Sequence, residues 1–246
     1  MHYDCYVWNE SISGRGACEI SSCVFDFLVA KSKEGKKKFV FYSDNCGSQN
    51  KNKYYVSMLW YAIQKLNLES VEQKYLEKGH TQNENDSVHA SVERASRHIA
   101  VYTTAQWAAV IRTACRKKTY HVKEMELPDF FDFKTVSKML KNFDLDSEKN
   151  KVRWIDVRSF KMESRSPHTV IIKYDYEGPI HYLNLVQRLR RSITVLNIDD
   201  IGLNRLHTEY PMIAFEKYKD LVVLCRSGVI PVAHHMFYAV LPHEVV

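Results

Sequence analysis

The sequence predicts an α/β fold: a central sheet flanked by helices in roughly the first hundred residues, then a mixed α+β region. Three observations carry this reading. Strand-like and helix-like patterns alternate up to about residue 100. An unbroken apolar run, Phe39-Val40-Phe41-Tyr42, is what a strand covered on both faces looks like. Near residue 105 the pattern changes, so the expected division is 1–104 and 105–246.

Tyr3 to Trp8 alternates aromatic and small residues, as a strand does. After the turn at Ser13-Gly14-Arg15-Gly16, Ala17 to Ala30 carries Ile20, Val24, Phe27 and Leu28 at helical spacing. The cluster Lys31, Lys33, Lys36, Lys37 and Lys38 reads as a solvated loop leading into Phe39–Tyr42. Tyr54 to Leu68 is a predicted helix with Val56, Leu59, Trp60, Ile63 and Leu66 as its buried stripe. Val71 to Leu76 is a predicted strand and Asp86 to about Ala100 a predicted helix. Ala105 to Cys115 is amphipathic and ends in Arg116-Lys117-Lys118. Asp129 to Leu140, Tyr210 to Cys225 and Ala233 to Val240 read as helices. Val152 to Val157 and His168 to Tyr174 read as strands, hairpinned around Ser164-Arg165-Ser166-Pro167.

With 246 residues, 45% hydrophobic and 26% charged, the chain can bury a core in one large or two small domains. No apolar run approaches the roughly 18 residues of a membrane helix, and no basic segment followed by an apolar one opens the chain. Neither a membrane partner nor a secretory leader is therefore expected. Six scattered cysteines without a C-x-x-C suggest reduced thiols in an intracellular protein. The net charge is +6, and 22 basic against 17 acidic residues lie beyond Ala105. Such an excess permits nucleic-acid binding without demanding it.

Two segments carry candidate chemistry. Asp44 follows the Phe39–Tyr42 strand in the run Tyr42-Ser43-Asp44-Asn45-Cys46-Gly47-Ser48-Gln49-Asn50, where open α/β sheets place ligands. Asp44 serves equally as a turn opener or as a cap for the helix starting near Asn52. In the second segment, Asp86, His89 and Glu93 are spaced i, i+3 and i+7 and share one helix face. Acid, imidazole and acid on one face suit a divalent cation. The plainer alternative has Asp86 as an N-cap and Glu93 paired with Arg97.

Together the segments resemble an uncharacterised domain family of transposon-like eukaryotic proteins, assigned to the RNase H-like superfamily of DDE transposases. That family's Y-S-D-x-C-G-x-Q-N-x-N pattern is matched from Tyr42 to Asn52. Its G-H-x-x-x-E-x-D-x-x-H-x-x-x-E pattern is matched by Gly79, His80, Glu84, Asp86, His89 and Glu93. The resemblance implies that residues 1–104 are a partial RNase H-like catalytic-type domain. It implies a metal-dependent nuclease or strand transferase in which carboxylates hold two Mg²⁺ or Mn²⁺ ions. Asp44 then takes the place of the second carboxylate, with Asp86 preferred as the third and Glu93 next. His80 and His89 are the auxiliary residues that orient water or contact phosphate.

The first carboxylate of this class belongs on a first strand, and Tyr3–Trp8 offers only Asp4, which lies too early. The expectation is an N-terminally truncated or degenerate site with weak or no activity. A non-enzymatic nucleic-acid-binding or protein-interaction module on the same scaffold is the alternative. DNA is the expected partner, in the nucleus, with Lys117, Lys118, Arg188, Arg190 and Arg191 along the phosphate backbone. A homo-oligomer remains open.

Overall fold

The computed structural model describes residues 3–77, 84–186 and 197–245. Its elements run β1 (Tyr3–Val7), α1 (Ala17–Lys33), β2 (Lys38–Ser43), α2 (Lys53–Lys65), β3 (Ser70–Tyr75), α3 (Glu84–Ser96) and α4 (Thr104–Thr113). There follow β4 (Tyr120–Glu124), α5 (Phe133–Met139), β5 (Ser159–Glu163), β6 (Thr169–Lys173), β7 (His181–Asn184), α6 (Phe215–Arg226) and α7 (His235–Ala239). The fold is α/β, with a mixed five-stranded sheet and a parallel two-stranded one. The chain divides into two compact units. The first gathers Met1–Gly14, Gln82–Phe130 and His207–Val246; the second gathers Arg15–Thr81 and Phe131–Leu206. The change of pattern near residue 105 falls inside α4, within the first unit.

The second unit is built on a sheet of order β2-β3-β5-β6-β7. β2 and β3 are parallel and joined through α2, because parallel neighbours need a crossover. From β3 through β5 and β6 to β7 the pairing is antiparallel. Period-two alternation sends Val71, Tyr75, Phe160, Met162, Val170, Ile172 and Leu183 to one face, all buried. Residues of α1, α2 and α5 complete that core. α2 is buried all round from Tyr55 to Ile63 instead of along one stripe, because it packs on the sheet, on α1 and on α5. Its buried Tyr55 hydroxyl donates to Gln73 Oε1 at 2.9 Å.

β2 corrects the expectation of a strand covered on both faces. It is an edge strand of the described sheet. Phe39 and Phe41 pack against Phe27 of α1, whereas Val40 and Tyr42 are 51% and 58% exposed on the opposite face. A second correction concerns Val152 to Val157. Trp154–Asp156 is a 3₁₀ turn, and the hairpin's first strand is β5, beginning at Ser159. Val152 and Val157 are buried while Ile155 and Asp156 are exposed, a spacing that breaks period two. Trp154 Nε1 donates to the Phe143 carbonyl at 2.8 Å and fixes the turn.

In the first unit β1 pairs in parallel with β4, Tyr3 opposite Tyr120 through to Val7 opposite Glu124. Among the described strands β1 pairs with β4, whereas its sequence position suggests a single layer with β2 and β3. α4 packs on both strands. It starts at a capping box in which Gln106 N donates to Thr103 Oγ1 and Gln106 Oε1 accepts from Thr103 N. Trp8 meets Phe130 edge-on at 5.4 Å. No described helix is long and apolar enough to cross a membrane. All six cysteines are free thiols.

Candidate functional site

The loop from Asp44 to Asn52 is a compact turn whose polar residues tie it to the sheet. The Cys46 carbonyl accepts from the backbone N–H groups of Gln49, Asn50 and Lys51 at 3.2, 3.0 and 3.2 Å. That turn directs Asn50 and Lys51 inward, and both are buried. Asn50 Nδ2 donates to Ser43 Oγ at 3.1 Å and to Asp44 Oδ1 at 3.3 Å. The Asn50 carbonyl accepts from the Tyr75 hydroxyl at 2.6 Å. Asn50 Oδ1 is buried and has no hydrogen-bond partner among the described residues. Asn52 N-caps α2, its Oδ1 accepting from Tyr54 N and Tyr55 N at 3.0 and 3.1 Å, while its Nδ2 donates to the Gly47 carbonyl.

This loop forms one wall of a cleft of about 900 Å³. The cleft lies beyond the C-terminal ends of β2 and β3, where Asn45, Gly47 and Glu77 emerge. The antiparallel partners bring their own ends to the same place. Arg158 precedes β5, Tyr174 follows β6, and Arg153 N-caps the 3₁₀ turn that carries Ile155.

Lys51 lines the cleft from the loop. It is 6% exposed, and its Nζ donates to Asn45 Oδ1 and to the Ile155 carbonyl, both at 2.7 Å. The ammonium lies 4.8 Å from the Tyr75 ring centroid, a cation–π contact. Burial lowers its pKa, the neighbouring Arg158 guanidinium lowers it further, and Asp156 raises it in part; the result is about 8. Asp156 is itself paired with Arg153 at 3.2 Å. Arg153 also lies over the Tyr174 ring at 5.7 Å. Among the described residues neither Lys51 nor Arg158 forms an ion pair. Lys51, Arg153 and Arg158 line the cleft with Glu77 and Asp156, so cations outnumber carboxylates there by three to two, a balance that suits an anion.

The residues singled out from sequence are distributed as follows. Asp44 is exposed at the end of β2, one residue before the cleft-lining Asn45. Asp86, His89 and Glu93 are all exposed on α3, in the other unit. Lys118 belongs with them: its Nζ donates to Ser87 Oγ at 3.3 Å and lies 5.0 Å from the Tyr3 ring, an internal contact. Lys117 is exposed. His80, Arg188, Arg190 and Arg191 lie outside the described residues. Among the described residues, no group of three or more His, Cys, Asp or Glu side chains gathers where it could hold a metal ion.

Sequence reasoning missed Lys51, Arg153 and Arg158. Lys51 occupies an unspecified position of the Y-S-D-x-C-G-x-Q-N-x-N pattern, where nothing local marks it as buried. A lysine just before the N-cap Asn52 was the available signal. Arg153 and Arg158 had none, because only the sheet's meander brings them to this loop. Fold and cleft together define an α/β protein with a cation-lined cleft beyond two parallel strands. Residues 4–176 match a family described as a domain of unknown function, DUF7869, and the chain belongs to that family. No curated protein and no solved structure matches the chain.

Proposed function

We propose that this chain binds the phosphodiester backbone of nucleic acid through the Lys51–Arg158 cleft, as a module descended from an RNase H-like transposase. The supporting observation is that Lys51 and Arg158 both line the cleft, Lys51 held by neutral oxygens and Arg158 without an ion pair among the described residues. A buried ammonium without an ion pair is costly, and a phosphate beside it offsets that cost. DNA in the nucleus is the ligand that goes with such descent. Lys117 and Lys118, with Arg188, Arg190 and Arg191, are the other basic residues that the sequence offers for phosphate contact.

The test is a titration of labelled DNA at several salt concentrations. Arg158→Ala should weaken binding and lower the slope of log affinity against log salt by about one, the worth of one phosphate contact. Binding of unchanged strength and slope in Arg158→Ala would remove the cleft from the interface.

Metal-dependent cleavage is the second reading, and Asp44 is the observation that favours it: a solvent-facing carboxylate at a strand end beside the cleft. It is one donor where a two-metal centre needs several, so no step is derived through Mg²⁺ or Mn²⁺. The expected outcome with either ion is little or no cleavage. Robust cleavage that disappears in Asp44→Asn would establish the second reading.

A further inference from the structure

We infer that the cleft takes single-stranded nucleic acid, one nucleotide at a time, with a base against Ile155 while its phosphate reaches Lys51 and Arg158. The inference rests on the reading of the cleft as a phosphate site and adds the form of the polymer. Three features point to it. Lys51 is 6% exposed, so a phosphate reaches it only by entering the cleft. A duplex carries its phosphates on an outer rail suited to exposed cations, whereas an unpaired strand can turn phosphate and base inward together.

The second feature is an apolar surface beside the cations. Ile155 lines the same cleft and is 82% exposed, among the most exposed large hydrophobic side chains of the protein. Tyr174 lines it as well, its ring already under the Arg153 guanidinium at 5.7 Å. An apolar side chain, an aromatic ring and a planar guanidinium beside two cations are complementary to a nucleotide, whose flat base adjoins an anionic phosphate. An inorganic anion makes no use of Ile155.

The third feature joins the two parts. The Ile155 carbonyl accepts from Lys51 Nζ at 2.7 Å, so the cation that receives phosphate also fixes the turn carrying the apolar side chain. Base and phosphate are thereby received by one rigid constellation. The 3₁₀ turn Trp154–Asp156 is anchored from below by the Trp154 indole.

The experiment compares a short labelled DNA strand, the equivalent RNA strand and the matching DNA duplex, each titrated with the full chain by fluorescence anisotropy. Single strands should bind roughly tenfold or more tightly than duplex. Ile155→Ala should weaken single-strand binding by roughly tenfold, the scale of covering one aliphatic side chain, with the salt slope unchanged, and Ile155→Leu should restore it. Because Ile155 is exposed, these variants keep the fold, and a thermal melt verifies that. A preference between DNA and RNA strands supports the inference and names its source. Duplex binding as tight as single-strand binding, or an Ile155→Ala variant that binds single strands like wild type, overturns the inference and leaves the phosphate site standing. No polyanion binding by the wild-type chain, or binding of strand and duplex alike that Lys51→Met leaves unchanged, overturns both.

Discussion

Lys51 makes affinity in the cleft depend on pH, and the direction follows from its surroundings. Its pKa in the empty cleft is about 8, against an ordinary 10.5, through burial and then repulsion by Arg158. An anion bound beside Lys51 stabilises the charged ammonium against both causes and returns the bound value toward 10.5. Between those limits binding takes up a proton, so affinity falls as pH rises. The full difference corresponds to about 3 kcal/mol, or roughly 300-fold in affinity, of which about tenfold is lost by about pH 9. The assay is anisotropy of a labelled single strand between about pH 7 and 9.5 at constant ionic strength. Lys51→Arg should flatten the profile, because a guanidinium stays charged throughout. A flat wild-type profile, or an equal fall in Lys51→Arg, would refute the reasoning. The unliganded fold responds in the opposite sense. Its depressed lysine leaves the unfolded chain holding more protons between about pH 8 and 10.5, so this group's contribution to stability rises with pH there. Above about pH 10 the buried Tyr55 and Tyr75, whose pKa values burial raises, act the other way: the unfolded chain loses phenolic protons that the folded chain keeps.

Two further outcomes follow from the packing around the cleft. Asn52→Ala removes the cap of α2 and the tie to Gly47, and should cost about 1 kcal/mol, read as a fall in melting temperature of roughly 2–4 °C; an unchanged melting temperature would show that the cap is replaced by solvent. Tyr55→Phe leaves Gln73 Oε1 without its buried donor and should cost about 1–3 kcal/mol by urea denaturation, whereas a loss below about 0.5 kcal/mol would mean that Gln73 turns its amide elsewhere.

Much of the fold is legible in the sequence where one residue period dominates. Val56, Leu59, Trp60 and Ile63 mark α2, and the β2–α2–β3 order follows from the switch between the two periods. The run Tyr42 to Asn52 marks the cleft's first wall, because a polar turn closing an apolar strand is a local signal. What pairs with what is not local. Phe39-Val40-Phe41-Tyr42 is equally apolar at an edge or at the centre of a sheet, so burial on both faces did not follow from it. β4 and β7 carry tyrosine, histidine, lysine and asparagine, with too little alternation to separate them from loops. The cations of the cleft come from positions 51, 153 and 158, and no spacing rule links them; their meeting depends on the meander from β3 through β5 to β6.

The pairing of β1 with β4 has a consequence for how the protein is made. Tyr3 waits for Tyr120, more than a hundred residues downstream, and the second unit's first segment is synthesised in between. At ordinary ribosomal speed β1 emerges on the order of ten seconds before its partner exists. During that interval a short aromatic strand has unpaired backbone groups on both edges, in reach of other nascent chains and of chaperones. Slowing translation between the codons for Val7 and Tyr120 should therefore lower the soluble yield more than an equal delay after Glu124, even though the finished protein is identical in both cases.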